Sequence, residues 1–233
     1  MRWPAADQDV RRSVLTAVPY QPLQLATDTP AIVRSFIQKN VEDHCFKDLH
    51  TMLRLPQPSM GLGAGLNFAI AQSLLAAIGG ISATLYASEG EPGELFIGLL
   101  RDHYPWNREP HPALNPEAAA GYLYNVFRNP LTHALGVFTE RVPNSSRRYI
   151  VARKDAVKIK RLAPGGVGLE DLAIEALENS SVRPPMSATL TVLPDRKVLL
   201  VEGLYWGTRC MLEALTRDSN KMQEAESFVS RIV

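Results

Sequence analysis

Arg128 and His133 lie five residues apart in the stretch Tyr122–Val137, which reads YLYNVFRNPLTHALGV. Arginine is a permanent cation whose planar fork of N–H donors matches phosphate oxygens. Histidine takes up and releases a proton near neutral pH. Asn129 stands between them, directly ahead of Pro130.

The surrounding sequence says what must position these groups. Leu123, Val126 and Phe127 recur at helical spacing, so the segment ahead of Arg128 reads as a helix with a buried face. Asn129-Pro130 reads as an N-cap and first helical position, which predicts a new helical turn there, with Gly136 as its stop. In an unbroken helix, five residues set two side chains well apart around the axis. A kink at Asn129-Pro130 relaxes that limit and lets both side chains face one opening.

Arg128, Asn129 and His133, with an apolar helix before them and long helices upstream, resemble the motif of the HEPN family. These are helical domains carrying Arg, a polar residue, a few more residues and then His. The resemblance covers roughly Pro30 to Gly136 and does not account for the chain beyond. It implies an antiparallel helical bundle. Many catalytically competent members are metal-independent ribonucleases built across a dimer, so it also implies RNA cleavage by 2′-hydroxyl attack. In that reading His133 is the acid or base, Arg128 stabilises the phosphate and Asn129 assists. A homodimer is expected, with no metal and no cofactor. Other members are non-catalytic modules that bind RNA, nucleotides or proteins, and that alternative stays open. So does a purely structural one, with His133 satisfied by a backbone carbonyl and Arg128 paired to Glu117 or Glu140.

Composition supports a globular chain. At 233 residues, 45% hydrophobic and 21% charged, it can bury a substantial core. A net charge of +1 advertises no bulk affinity for nucleic acid, so any such surface must come from local clustering. Two distant cysteines, Cys45 and Cys210, argue against a disulfide framework and make a reducing cytoplasm the expected compartment. Arg11-Arg12 and the short apolar run after it faintly resemble a twin-arginine signal, but Pro19 and Pro22 interrupt it and export is not expected.

Residues 1–28 read as an arm with little regular structure, 29–138 as the helical bundle and 139–233 as an α+β extension packed on it. Thr29-Pro30 marks an N-cap and first helical position. The apolar steps from Ile32 to Leu53 make a long amphipathic helix ending before Pro56. His44, Cys45 and His50 lie on it without paired metal-ligand spacing, so a buried thiol and partly solvated imidazoles are expected. Met60–Tyr86 is the most apolar segment. It is long enough for a membrane span, yet Asn67, Gln72, Ser73 and Gly79-Gly80 favour a central helix buried all round. No membrane association is expected. Gly61, Gly63 and Gly65 match neither the dinucleotide fingerprint nor a P-loop. Pro92 and Asn115-Pro116 open two further helices, with the proline-rich loop Trp106–Leu114 between them.

Beyond Gly136 comes a basic tract from Arg141 to Arg161, opposed internally only by Asp155. Tyr149–Val151 and Val157–Ile159 alternate with these charges, which predicts a hairpin turning near Lys154-Asp155. Arg147, Arg148, Lys158 and Lys160 are the candidate RNA-binding cations. The same charges could instead protect a sheet edge. Leu169–Leu177 reads as a short helix, and Ser187–Val192 with Val198–Val201 as a second hairpin. Gly203–Leu215 and Asn220–Ile232 read as closing helices, with Tyr205 and Trp206 packing on the bundle.

Overall fold

The computed structural model describes residues 20–54, 66–86, 89–106, 115–133, 138–141, 149–151, 157–160, 189–192 and 197–232. The chain is mainly α, a six-helix bundle with small β additions. Helix α1 runs through Ala31–Phe36, a π-helical stretch Ile37–Phe46 and Lys47–Arg54. Helix α2 joins Asn67–Ile81 to a π-helical end Ser82–Tyr86. Helix α3 is Pro92–His103. Helix α4 joins Pro116–Tyr122, a π-helical stretch Leu123–Arg128 and Asn129–His133. Helices α5, Val201–Leu215, and α6, Ser219–Ile232, close the bundle.

Local chemistry explains most of these boundaries. Pro92 and Pro116 stand in the first helical turn, where a missing N–H costs nothing. Asn115 caps α4 by accepting from the Ala118 N–H at 2.8 Å. At α1 the start shifts by one residue from the expected place. Pro30 itself is the cap, extended at ψ 141° with its carbonyl accepting from the Arg34 N–H, while the Thr29 hydroxyl donates to the Ala26 carbonyl.

Helix α2 touches α1, α3, α4, α5 and the β3 strand, so it holds the central place that its apolarity predicts. Ile70, Leu74, Leu75 and Ile78 are fully buried there. The expectation of burial all round is corrected: Phe68, Gln72, Ser73, Ala76 and Gly80 are exposed. Length and composition would allow this helix to cross a membrane, and a core helix of a soluble bundle has the same signature.

Among the described residues, five short strands lie between α4 and α5. β1, Phe138–Arg141, pairs antiparallel with β2, Tyr149–Val151. β3, Val157–Lys160, pairs parallel with β5, Lys197–Leu200, and β4, Leu190–Val192, pairs antiparallel with β5. The second expected hairpin is therefore present, although Val201 begins α5 instead of ending a strand. The first is not, because β2 and β3 belong to different sheets. Val157 and Ile159 are buried, and Asn67 of α2 donates to the Ile159 carbonyl at 3.3 Å. Burial against α2 and a distant parallel partner outweigh the local turn signal at Lys154-Asp155. The expected helix Leu169–Leu177 and the stop at Gly136 lie outside the described residues.

Candidate functional site

The sequence places Arg128 and Asn129 behind the buried face of α4, and the structure keeps them there. Leu123, Val126 and Phe127 are buried, while Arg128 and Asn129 are half-buried. Arg128 Nη1 donates to Asn129 Oδ1 at 3.0 Å, and its guanidinium lies 5.4 Å from the Tyr124 ring centroid. Tyr124 is itself packed against Phe96 of α3. The arginine is thus propped from two sides by its own helix. Glu117 is not its partner, since that carboxylate faces Arg101 at 3.4 Å. Among the described side chains, no carboxylate pairs with Arg128.

The helix break expected at Asn129-Pro130 is absent. Asn129 is helical at φ −61°, ψ −50°, and its N–H bonds the Tyr124 carbonyl, so it is not an N-cap. An interior proline removes a donor and crowds the carbonyl four residues earlier, here Val126. The wider π-helical turns of Leu123–Arg128 stand directly ahead of it. On one continuous helix, Arg128 and His133 diverge by about 140° around the axis. His133 is the last described residue of this helix, and its side chain lies outside the described residues.

The side chains of the four candidate RNA-binding cations all lie outside the described residues. Arg147 and Arg148 lie outside the described residues, as do the side chains of Lys158 and Lys160. The backbones of the latter two belong to β3, an edge strand of the three-stranded sheet. A cation that the sequence did not single out, Lys197 of β5, lies 5.7 Å from the Tyr122 ring on α4. Only its long-range placement reveals it.

A second polar cluster gathers where α3 ends. Arg101 grips Asp102 through Nε–Oδ1 at 2.6 Å and Nη2–Oδ2 at 3.0 Å, and the Tyr86 hydroxyl donates to Asp102 Oδ2 at 2.5 Å. The Arg101 fork is the main reason that the Asp102 carboxyl titrates below its ordinary range. Burial, with help from Asp102, pushes the Tyr86 phenol up to about 12. These residues adjoin an open cleft of about 380 Å³ lined by Arg101, Asp102, His103, Trp106, Cys210 and Arg217, among others. Tyr104 anchors its floor: the hydroxyl bonds Thr189 Oγ1 and donates to the Gly203 carbonyl at 3.2 Å. Gly207 leaves room for it, since a Cβ there would fall 1.9 Å from the phenol oxygen. The contiguous Arg101-Asp102-His103 was the available sequence signal.

His103 packs edge-on against Tyr86, and burial lowers its imidazole pKa despite the nearby Asp218 and Asp102 carboxylates, with Lys221 adding to the lowering. The unfolded chain therefore binds this proton more readily than the folded one. Stability contributed by the neutral imidazole is present above its unfolded value of about 6.5 and is lost as pH falls through the lower folded value. The melting temperature should decline over that window, and His103→Gln should flatten the decline. Asp102 acts in the same direction only below about pH 4, so the two effects separate. An unchanged pH profile in the variant would remove His103 from this role.

His44 is exposed, Cys45 is half-buried with its thiol pushed up to about 11 by burial, and the His50 ring lies against Tyr20 and Tyr205. No group of three metal-ligating side chains occurs among the described residues. Tyr205 is buried in the core, as its packing role required. Compared with protein-family models, curated proteins and solved structures, the chain matches none.

Proposed function

We propose that this chain is a metal-independent endoribonuclease of the HEPN type, acting in the cytoplasm as a homodimer. The observation that carries the reading is Arg128. Its fork is held at the surface of α4 by Asn129 and Tyr124, apart from any described carboxylate, five residues from His133 on one continuous helix. A 2′-hydroxyl attacks the adjacent phosphorus and the P–O5′ bond breaks. The hydroxyl proton passes to one His133 imidazole, and a protonated imidazole gives a proton to the departing O5′. The products are a 2′,3′-cyclic phosphate and a 5′-hydroxyl. Arg128 braces the charge that grows on the non-bridging oxygens. Because the helix is unbroken, Arg128 and His133 of one copy diverge, and the proposal requires the partner subunit's His133 to complete the site.

The same contacts favour a second reading. With Nη1 bonded to Asn129 and the plane near Tyr124, part of the fork is already engaged, as in a non-catalytic binding module. Cleavage of mixed RNA in the presence of chelator separates the two. Binding is tested apart from cleavage. Neutralising Arg147, Arg148, Lys158 and Lys160 together should weaken RNA association and make it less dependent on salt, because fewer counterions are released. An unchanged salt slope would assign these residues to solvation and edge protection.

A further inference from the structure

Residues 20–26 form neither helix nor strand, yet they are tied to the bundle by a ladder of side chains. Glu42 of α1 accepts from the Tyr20 hydroxyl at 2.9 Å and the Leu23 N–H at 2.7 Å through the same oxygen. Glu213 of α5 accepts from the Gln24 N–H at 3.0 Å, and the Thr216 hydroxyl oxygen from the Ala26 N–H at 3.2 Å. Arg209 of α5 donates to the Gln21 carbonyl, and Arg34 of α1 to the Ala26 carbonyl at 2.7 Å. The Arg209 guanidinium lies within 4.8–5.8 Å of the Tyr20, Phe46, Tyr205 and Trp206 rings. Leu23 alone is fully inserted; Tyr20 and Leu25 are half-buried, and Gln21, Pro22 and Gln24 are exposed.

This is how a receptor holds an extended peptide: backbone groups are read by side chains, and side-chain identity matters at few positions. We propose that the groove between α1 and α5 is a binding site for extended peptides of pattern Tyr-x-x-Leu-x-Leu. The chain's own residues 20–26 occupy it in cis, and a partner segment of that pattern exchanges with them. Glu42, Arg209 and Glu213 are buried, so an emptied groove would strand charged groups away from water. Exchange is therefore favoured over simple opening. An incoming backbone makes the same bonds, while the tethered strap competes at its high effective concentration. Glu213 and Arg217 also line the cleft beside His103, so the occupant of the groove adjoins that cleft. The proposal is independent of the ribonuclease reading.

The probe is a labelled peptide of residues 18–28 carrying Gln21→Arg and Gln24→Arg, changes at exposed positions that also distinguish its fragments by mass. Full-length Leu23→Ala protein should bind it at least about tenfold more tightly than wild type, and a scrambled peptide should not bind. In wild type with excess peptide, the Leu23, Gln24 and Ala26 amides should lose hydrogen-exchange protection while α1 and α5 retain theirs. Should Leu23→Ala fail to fold, the exchange measurement decides alone. Unchanged strap protection at saturating peptide, equal binding of the scrambled peptide, or no binding by a folded Leu23→Ala protein would each overturn the proposal.

Discussion

His133→Ala is expected to melt close to wild type and to lose RNA cleavage by about 10²–10⁴-fold, the usual contribution of one proton-transfer group. Arg128→Lys should fail to a similar degree. An ammonium keeps the charge but cannot reproduce a planar fork that bonds Asn129 and, in the proposed mechanism, phosphate as well. The two losses should be far from additive in the double variant, because in the proposed mechanism both residues serve one transition state. Equal cleavage by wild type and both variants would point to another site or a contaminant. Cleavage lost only when a variant unfolds would return Arg128 to a structural role.

The second large effect lies in the core. Leu75→Asp should unfold or aggregate the protein, since Leu75 is buried on α2 and an unpaired charge there costs several kcal/mol against a typical total of about 5–15 kcal/mol. Ala76→Asp, one residue on, should melt within a few degrees of wild type, because that position faces outward. Thermal melting and soluble yield of the pair check this together. Two equally damaging substitutions would mean that α2 is covered all round. Recovery of wild type with detergent-extracted membranes would instead favour a membrane span.

The contrast between Leu75 and Ala76 shows what was legible in the sequence. Periodicity located the six helices of the described residues, and proline with its preceding residue located the starts of α3 and α4. Over Asn67–Tyr86, however, small residues occupy both faces, so apolarity alone does not say which side meets the core. Asn129-Pro130 carried a genuine capping signal, yet the preceding π-helical stretch lets the helix continue through the proline. Lys154-Asp155 looked like a hairpin turn because the true partner of β3 lies about forty residues away in β5. The strap was least legible. Its anchors, Glu42, Arg209, Glu213 and Thr216, lie 19 to 190 residues from the groups they bind, and nothing in local spacing announces such pairings. For the candidate site, the adjacency of Arg128 and Asn129 was readable; the stack on Tyr124 and the approach of Lys197 to Tyr122 were not.

The ribonuclease account is tested most directly by the ends left on a defined RNA incubated with wild-type protein and chelator. It predicts 2′,3′-cyclic phosphate and 5′-hydroxyl ends from wild type and neither from His133→Ala. Ends of the opposite polarity, cleavage that requires added metal, or intact RNA under every condition would contradict it.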